Sequence, residues 1–157
     1  MTESSQKQLS TYYQLDGVLD DGKHDYHLLV QYEDTDAGGI VYHAQYLAFA
    51  ERARSAWLRC LDIDQRRMLS QEKQAFVVRH IDIDFLQVAA LGDVLGVTSE
   101  VAKIGGARII LRQTITNVQF CLIVARLVVE IGFVNLQRAG AARAFRMPLD
   151  IRKKLAG

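Results

Sequence analysis

One long segment without glycine or proline most constrains how this chain can fold. Between His43 and about Leu61 no helix-breaking residue occurs, and apolar side chains recur at helical spacing. Charged residues cover only part of the predicted helical surface. The pattern predicts one helix of about 27 Å at 1.5 Å per residue, with much of its surface buried.

Segments with strand composition lie on both sides of this helix. One precedes it, at 26–33, and four follow it, at 75–86, 93–104, 107–118 and 121–136. Apolar and acidic residues alternate from Ile81 to Phe85, which is typical of a strand with one solvated face. Gly105-Gly106 and Asn117-Gln119 are short enough to connect hairpins. The order predicts an α+β domain in which a five-stranded antiparallel sheet wraps around one central helix, the hotdog arrangement.

Composition narrows the classes of function. Nineteen Lys and Arg nearly balance eighteen Asp and Glu, so no strong positive field favours nucleic acid. Cys60 and Cys121 lie far apart and form no CxxC motif, which fits structural thiols in a reducing compartment. No uncharged apolar run approaches the roughly 18 residues of a membrane-spanning helix, and we expect a cytoplasmic protein.

The ends of the chain differ from its middle. Residues 1–25 are polar and acidic, and we expect them to form a loose extension. We assign residues 26–137 to the domain and residues 138–157 to a basic tail. Pro148 near the end of this tail is typical of the first turn of a short terminal helix.

The run YEDTDAGGIVYH, residues 32–43, is the segment whose residue types are most suited to catalysis. It places carboxylates, two glycines and a histidine between a strand and the start of the helix. The first N–H groups of a helix are free and partly positive, so they can stabilise a developing oxyanion while a carboxylate attacks or activates water. These features suit acyl transfer. The alternative is a turn in which Asp34 and Asp36 only accept hydrogen bonds from backbone N–H groups.

Several other sites are excluded by spacing. An EF-hand loop counted from Asp34 would have Gly38 and Gln45 at its fifth and twelfth positions, where it needs Asp or Asn and then Glu. No GxSxG, HExxH, GxGxxG or P-loop motif occurs in the chain. Serine hydrolase, zincin, dinucleotide-binding and nucleotide-triphosphate chemistry are therefore not indicated.

The segments YEDTDAGGIVYHAQYLAFAERAR and AFVVRHIDIDFLQVAALGDVL closely resemble the YbgC-type acyl-CoA thioesterases, within the 4-hydroxybenzoyl-CoA thioesterase family. The resemblance covers about residues 26–137. It implies a hotdog enzyme that hydrolyses an acyl-CoA to free acid and CoA without a metal or redox cofactor. It places the catalytic carboxylate, as nucleophile or general base, at Asp36.

The resemblance also assigns roles around this carboxylate. His43 matches the family histidine at the start of the helix, where either its backbone N–H or its imidazole would act on the substrate. By their positions flanking the motif, Tyr32 and Tyr42 are candidates to line an acyl pocket, although core packing is favoured for each. By its position near a strand end, and not by the resemblance, Arg79 is a candidate contact for CoA phosphates, although a solvated surface residue is favoured. Glu51 is interpreted as an ion-pair partner of the nearby arginines, although related enzymes can use a helix carboxylate for catalysis.

Partners follow from the same resemblance and from the apolar strand LIVARLVVEIGFVNL. A lone sheet would leave that strand poorly covered, so we expect at least a homodimer and favour a homotetramer. The resemblance implies an acyl-CoA substrate, with acyl carrier protein as a further partner and a link to the Tol-Pal envelope system.

Two alternative functions are a noncatalytic acyl-binding or scaffold protein and a hotdog dehydratase.

Overall fold

The long helix predicted from the sequence, α1, extends from His43 to Cys60. The computed structural model describes residues 15–136 and 143–157. Its strands are β1 (Val18–Asp20), β2 (Lys23–Leu29), β3 (Gln74–Phe85), β4 (Val94–Ile104), β5 (Arg108–Asn117), β6 (Leu122–Asn135) and β7 (Arg143–Ala144). Two shorter helices are α2 (Gln65–Arg67) and α3 (Leu149–Ala156). A 3-10 turn spans Tyr32–Asp34, and a π turn spans Met68–Glu72.

The strands form one antiparallel sheet. Neighbouring strands follow the order β1-β2-β4-β5-β6-β3, and β7 pairs with β6. The prediction of five strands is wrong, because the described residues contain seven. The two additional strands have three and two residues, which is too short for an alternating pattern to appear in the sequence.

The core lies between α1 and one face of the sheet. Phe49, Ala50 and Ala53 of α1 are fully buried, and they share one apolar cluster with Leu95 of β4 and Leu111 of β5. Burying one such Leu or Phe side chain contributes about 1.5 to 3 kcal/mol. Because Ala50 and Ala53 have small side chains, the helix backbone can approach the sheet closely at these positions.

A buried polar network fixes the position of α1 on the sheet. The Arg54 guanidinium donates to Gln113 Oε1 on β5 at 2.7 Å and to the Glu51 carboxylate. Gln113 Nε2 in turn donates to Ala50 O at 3.0 Å and to Ser99 Oγ at 2.9 Å. Because breaking such a buried network leaves polar groups without partners, it resists sliding of the helix.

Regular structure extends beyond residues 26–137 at both ends. The sheet begins at Val18, so β1 and the start of β2 lie within the segment 1–25, for which the sequence predicts a loose extension. At the other end, α3 follows Pro148 as predicted, and its Ile151 and Leu155 join the apolar core. The rest of the predicted extension, residues 1–14, and residues 137–142 lie outside the described part of the chain. No helix among the described residues is long and apolar enough to cross a membrane.

Candidate active site

The DTDAGG motif folds into a tight hairpin immediately before α1. Gly39 N–H donates to Asp36 O at 3.0 Å, and Asp36 N–H donates to Ile40 O at 2.9 Å. Gly39 has a φ of 77°, a left-handed conformation that glycine adopts without steric cost. Thr35 and Val41 form an antiparallel bridge behind the turn. The hairpin therefore presents Asp36 at its corner.

The two carboxylates of this motif have different surroundings. Asp34 is buried, and its Oδ2 accepts the Gln31 N–H at 2.8 Å. Asp36 is exposed, and its Oδ1 accepts the Gly38 N–H at 2.8 Å. Within the described residues, Asp36 Oδ2 has no hydrogen-bond partner. Asp34 Oδ1 is also without a partner among the described residues, but it is buried. The structural interpretation thus fits Asp34, whereas the unbonded oxygen of Asp36 is on an exposed side chain.

Free backbone donors lie at the start of α1. Tyr42 is the N-cap, and its N–H donates to Asp34 O at 3.0 Å. The N–H groups of His43 and Ala44 have no acceptor in the part of the chain that the structure describes. Such groups carry the partial positive charge of the helix N-terminus. An exposed carboxylate and two backbone N–H groups without acceptors among the described residues therefore belong to one hairpin-to-helix junction.

Aromatic side chains surround this junction. The His43 ring lies 4.5 Å from that of Tyr42 and 6.3 Å from that of Phe85, measured between centroids. Tyr32 is 83% exposed and Tyr42 is 48% exposed. The prediction that these two tyrosines pack in the core is therefore wrong. Both remain accessible to a ligand.

An open cleft of about 370 Å³ adjoins the carboxylate. It is lined by Tyr32, Thr35, Asp36, Ala37, Gly39 and Leu91. Sequence reasoning missed Phe85 and Leu91 as neighbours of the site. The only signal for Phe85 was that the alternating pattern of β3 ends there, and Leu91 lies in a loop without periodicity.

Arg79 and Glu51 do not line the cleft beside Asp36. Arg79 is six residues before Phe85 on β3, about 20 Å at 3.3 Å per residue, and its Nη1 lies 3.3 Å from Glu130 Oε1. The structure does not bring this arginine to Asp36. Glu51 forms the predicted ion pair with Arg54. Together they border a small cavity of about 40 Å³, which has room for only one or two waters.

Metal binding has no candidate among the side chains of residues 15–136 and 143–157. No group of three or more His, Cys, Asp or Glu there could hold an ion.

Comparisons with known proteins agree with this architecture. The thioesterase superfamily model matches residues 38–119. The acyl-CoA thioesterase YbgC of Haemophilus influenzae is 38% identical over 135 residues, which cover 86% of this chain and 95% of that protein.

Solved structures support the same assignment. A probable thioesterase from Bartonella henselae is 35% identical, with a TM-score of 0.72 over 80% of this chain and 99% of that one. A 4-hydroxybenzoyl-CoA thioesterase mutant with 4-hydroxybenzoyl-CoA bound has a TM-score of 0.79 over 85% of this chain and 99% of its own. At 14% identity it supports the hotdog fold alone. The hotdog prediction is confirmed, and the chain belongs to the thioesterase superfamily, in the family of the YbgC acyl-CoA thioesterases.

Proposed function

We propose that this protein hydrolyses an acyl-CoA thioester to a free acid and CoA, with Asp36 as the catalytic carboxylate. The observation that carries the proposal is the junction at the start of α1. There an exposed carboxylate with one unbonded oxygen precedes two N–H groups without acceptors among the described residues. The family membership of the chain supports the same chemistry.

The thioester carbonyl oxygen binds at the helix start in this mechanism. It accepts hydrogen bonds from the N–H groups of His43 and Ala44, which stabilise the oxyanion that forms when the carbonyl carbon is attacked. Because a helix N-terminus carries partial positive charge, this stabilisation needs no side chain. The His43 imidazole, held between Tyr42 and Phe85, is then free to contact the acyl group or to position water.

Asp36 acts in one of two ways. As a general base it removes a proton from water, the hydroxide adds to the carbonyl carbon, and the CoA thiolate leaves when the tetrahedral intermediate collapses. As a nucleophile its oxygen displaces the thiolate and forms a mixed anhydride, which water then hydrolyses to regenerate the carboxylate. In both routes the thiolate takes up a proton, and the products are the acid and CoA.

Substrate contacts are proposed for exposed side chains near the cleft and for Arg79, which lies away from it on β3. Tyr32, Tyr42 and Leu91 offer apolar surface to an acyl group. Arg79 is exposed and positively charged, which suits a CoA phosphate. Because Glu130 already pairs with it, any contribution from Arg79 to CoA affinity requires that pair to rearrange.

A panel of acyl-CoA substrates tests the reaction. The purified protein is incubated with short, long and aromatic acyl-CoAs, and free thiol is trapped while the acyl products are identified. A thioesterase releases one thiol for each free acid. A dehydratase would change the acyl chain without releasing thiol, and a scaffold or acyl-binding protein would do neither. Absence of thiol release across the panel contradicts the proposal.

We also infer that the protein is at least a homodimer and favour a homotetramer. The twelve-residue strand β3 ends the strand order. Its outer edge has no partner strand among the described residues, and long exposed edges favour pairing with another chain. Sedimentation velocity at assay concentrations should show a dimer or larger species. A fully active monomer would contradict the inference.

The cellular setting is proposed from family membership. We place the protein in the cytoplasm, with acyl carrier protein as an alternative thioester donor and the Tol-Pal system as a functional link. Comparing kcat/KM for the same acyl group on CoA and on acyl carrier protein identifies the preferred carrier. Cell fractionation tests the location, and loss of envelope integrity on deletion tests the link to Tol-Pal.

A further inference from the structure

A second chain segment forms backbone hydrogen bonds with the active-site hairpin. Residues 89–91 of the β3–β4 loop, here called the backing segment, run antiparallel to residues 39–41. Val41 N–H donates to Ala89 O at 2.8 Å, and Leu91 N–H donates to Gly39 O at 3.4 Å. Ile40 and Ala90 form a bridge between these bonds. A displacement of the backing segment should therefore also move the turn that carries Asp36.

Tyr46 fixes one end of the backing segment. Its hydroxyl oxygen accepts the Ala89 N–H at 3.3 Å. Both residues are buried, and the Tyr46 ring packs against Phe49 and Phe85. Burial raises the pKa of the Tyr46 phenol, so the hydroxyl stays neutral at physiological pH. Tyr46 lies one turn after His43 on α1, and it thus connects the helix start directly to the backing segment.

Asp93 fixes the other end. Its Oδ2 accepts the Ala90 N–H at 2.9 Å and the Asn117 Nδ2 hydrogen at 2.8 Å. Asn117 is buried at the end of β5. The Asp93 backbone oxygen also accepts the Val30 N–H at 2.9 Å. The backing segment is thereby tied to the rigid sheet on one side and to α1 on the other.

We propose that Tyr46 and Asp93 are positioning residues that set the Asp36 carboxylate relative to the oxyanion donors of α1. The proposal rests on the proposed function of Asp36. Neither side chain is placed in contact with the substrate. Both act through the backing segment, which holds the hairpin against the helix start. Misplacement of reacting groups by about 1 Å can reduce rates by roughly 100-fold, so small shifts of this segment should appear in kcat.

Three variants and a matched control test the proposal. Tyr46→Phe removes only the hydroxyl that accepts the Ala89 N–H. Asp93→Ala removes both acceptor contacts, whereas Asp93→Asn retains one oxygen that can accept them. The control is Ser99→Ala, which also removes a buried hydroxyl that accepts one N–H, from Gln113. It lies outside the hairpin and backing segment and leaves the bonds of Gln113 with Arg54 and Ala50 of α1 in place. All are assayed for acyl-CoA hydrolysis beside Asp36→Asn, at temperatures where each is folded.

We expect kcat to fall about 10-fold or more in Tyr46→Phe and Asp93→Ala, with KM changed less than about 2-fold. Asp93→Asn should recover most of the lost kcat. Ser99→Ala should lower the melting temperature and leave kcat close to wild type. In the double variant Tyr46→Phe/Asp93→Ala, the loss should be smaller than the product of the single losses, because both act through one segment.

Two different results would separate failure of this inference from failure of the proposed function. If Asp36→Asn is inactive but Tyr46→Phe and Asp93→Ala only melt earlier, as Ser99→Ala does, the positioning role is wrong. If Asp36→Asn keeps wild-type activity, the proposed function of Asp36 is wrong, and the positioning role is overturned with it.

Discussion

Asp34 and Asp36 stand two residues apart in one motif, yet the carboxylate of Asp34 is buried and that of Asp36 is exposed. Asp34 closes the turn that begins at Gln31. Both carboxylates keep one oxygen unbonded among the described residues, but that of Asp34 is buried, whereas Asp36 is exposed at the corner of the next turn. We therefore expect Asp34 to stabilise the backbone and Asp36 to take part in catalysis.

Substitution of Asp34 should affect stability more than catalysis. Asp34→Ala leaves the Gln31 N–H without its acceptor, and the loss of this part-buried hydrogen bond to a charged group costs about 1.5 to 3 kcal/mol. Asp34→Asn keeps an oxygen acceptor and should cost less. Chemical denaturation measures the change in unfolding free energy, and kcat is determined on the folded fraction. A large loss of kcat in a fully folded Asp34→Asn protein would contradict this division of roles.

Variants of His43 separate its backbone from its side chain. His43→Ala keeps the N–H and should retain measurable hydrolysis. His43→Pro removes the N–H, yet proline is favoured at the first helical position. Tyr42 already has a ψ of 134°, which suits the residue before a proline. The proline variant should therefore fold and should lose about 100-fold to 1,000-fold in kcat relative to His43→Ala, the usual effect of deleting one oxyanion donor.

Circular dichroism and thermal melts must first show that both His43 variants are folded. Equal kcat values in the two would refute the role of the backbone donor. An inactive alanine variant would assign the essential function to the imidazole.

Acid should destabilise the protein through His24. This side chain is fully buried, its Nε2 lies 2.6 Å from Asp16 O, and its Nδ1 has no partner among the described residues. Burial lowers the pKa of His24 below its usual 6.5. The unfolded chain therefore binds this proton more readily, and stability falls as the pH drops below about 6.5 toward the lowered folded pKa.

Thermal melts between pH 5 and pH 8 measure this effect. His24→Gln removes the titrating group, retains a donor for Asp16 O, and should flatten the dependence of melting temperature on pH in that window. His80→Gln is the matched control, since His80 is exposed on β3, and it should behave as wild type. An unchanged pH dependence in His24→Gln would show that other groups control acid stability.

Local pattern was sufficient to predict the central elements of the fold. Helix α1 matches its prediction to within one residue. The agreement is close because its apolar spacing and lack of glycine are properties of the segment itself. The four later strands also match, and short turns join the last three of them. Strand β2 begins earlier than predicted, at Lys23, because its register is set by pairing with β4 and not by its own composition.

Contacts between distant residues could not be read from the sequence. Tyr46 fits the apolar pattern of α1, and nothing local shows that its hydroxyl meets Ala89, 43 residues later. Spacing likewise could not decide which aspartate of the motif is exposed. That difference depends on how the turn at Tyr32–Asp34 packs into the domain.

The most direct test of the central claim is the kcat of Asp36→Asn on the best acyl-CoA of the panel. Asparagine has nearly the same shape and retains an oxygen for the Gly38 N–H, but it cannot serve as a base or a carboxylate nucleophile. With an unchanged melting temperature, kcat should fall by about 100-fold to 10,000-fold for a general base and further for a nucleophile. A folded Asp36→Asn protein that keeps most of the wild-type kcat would contradict the account.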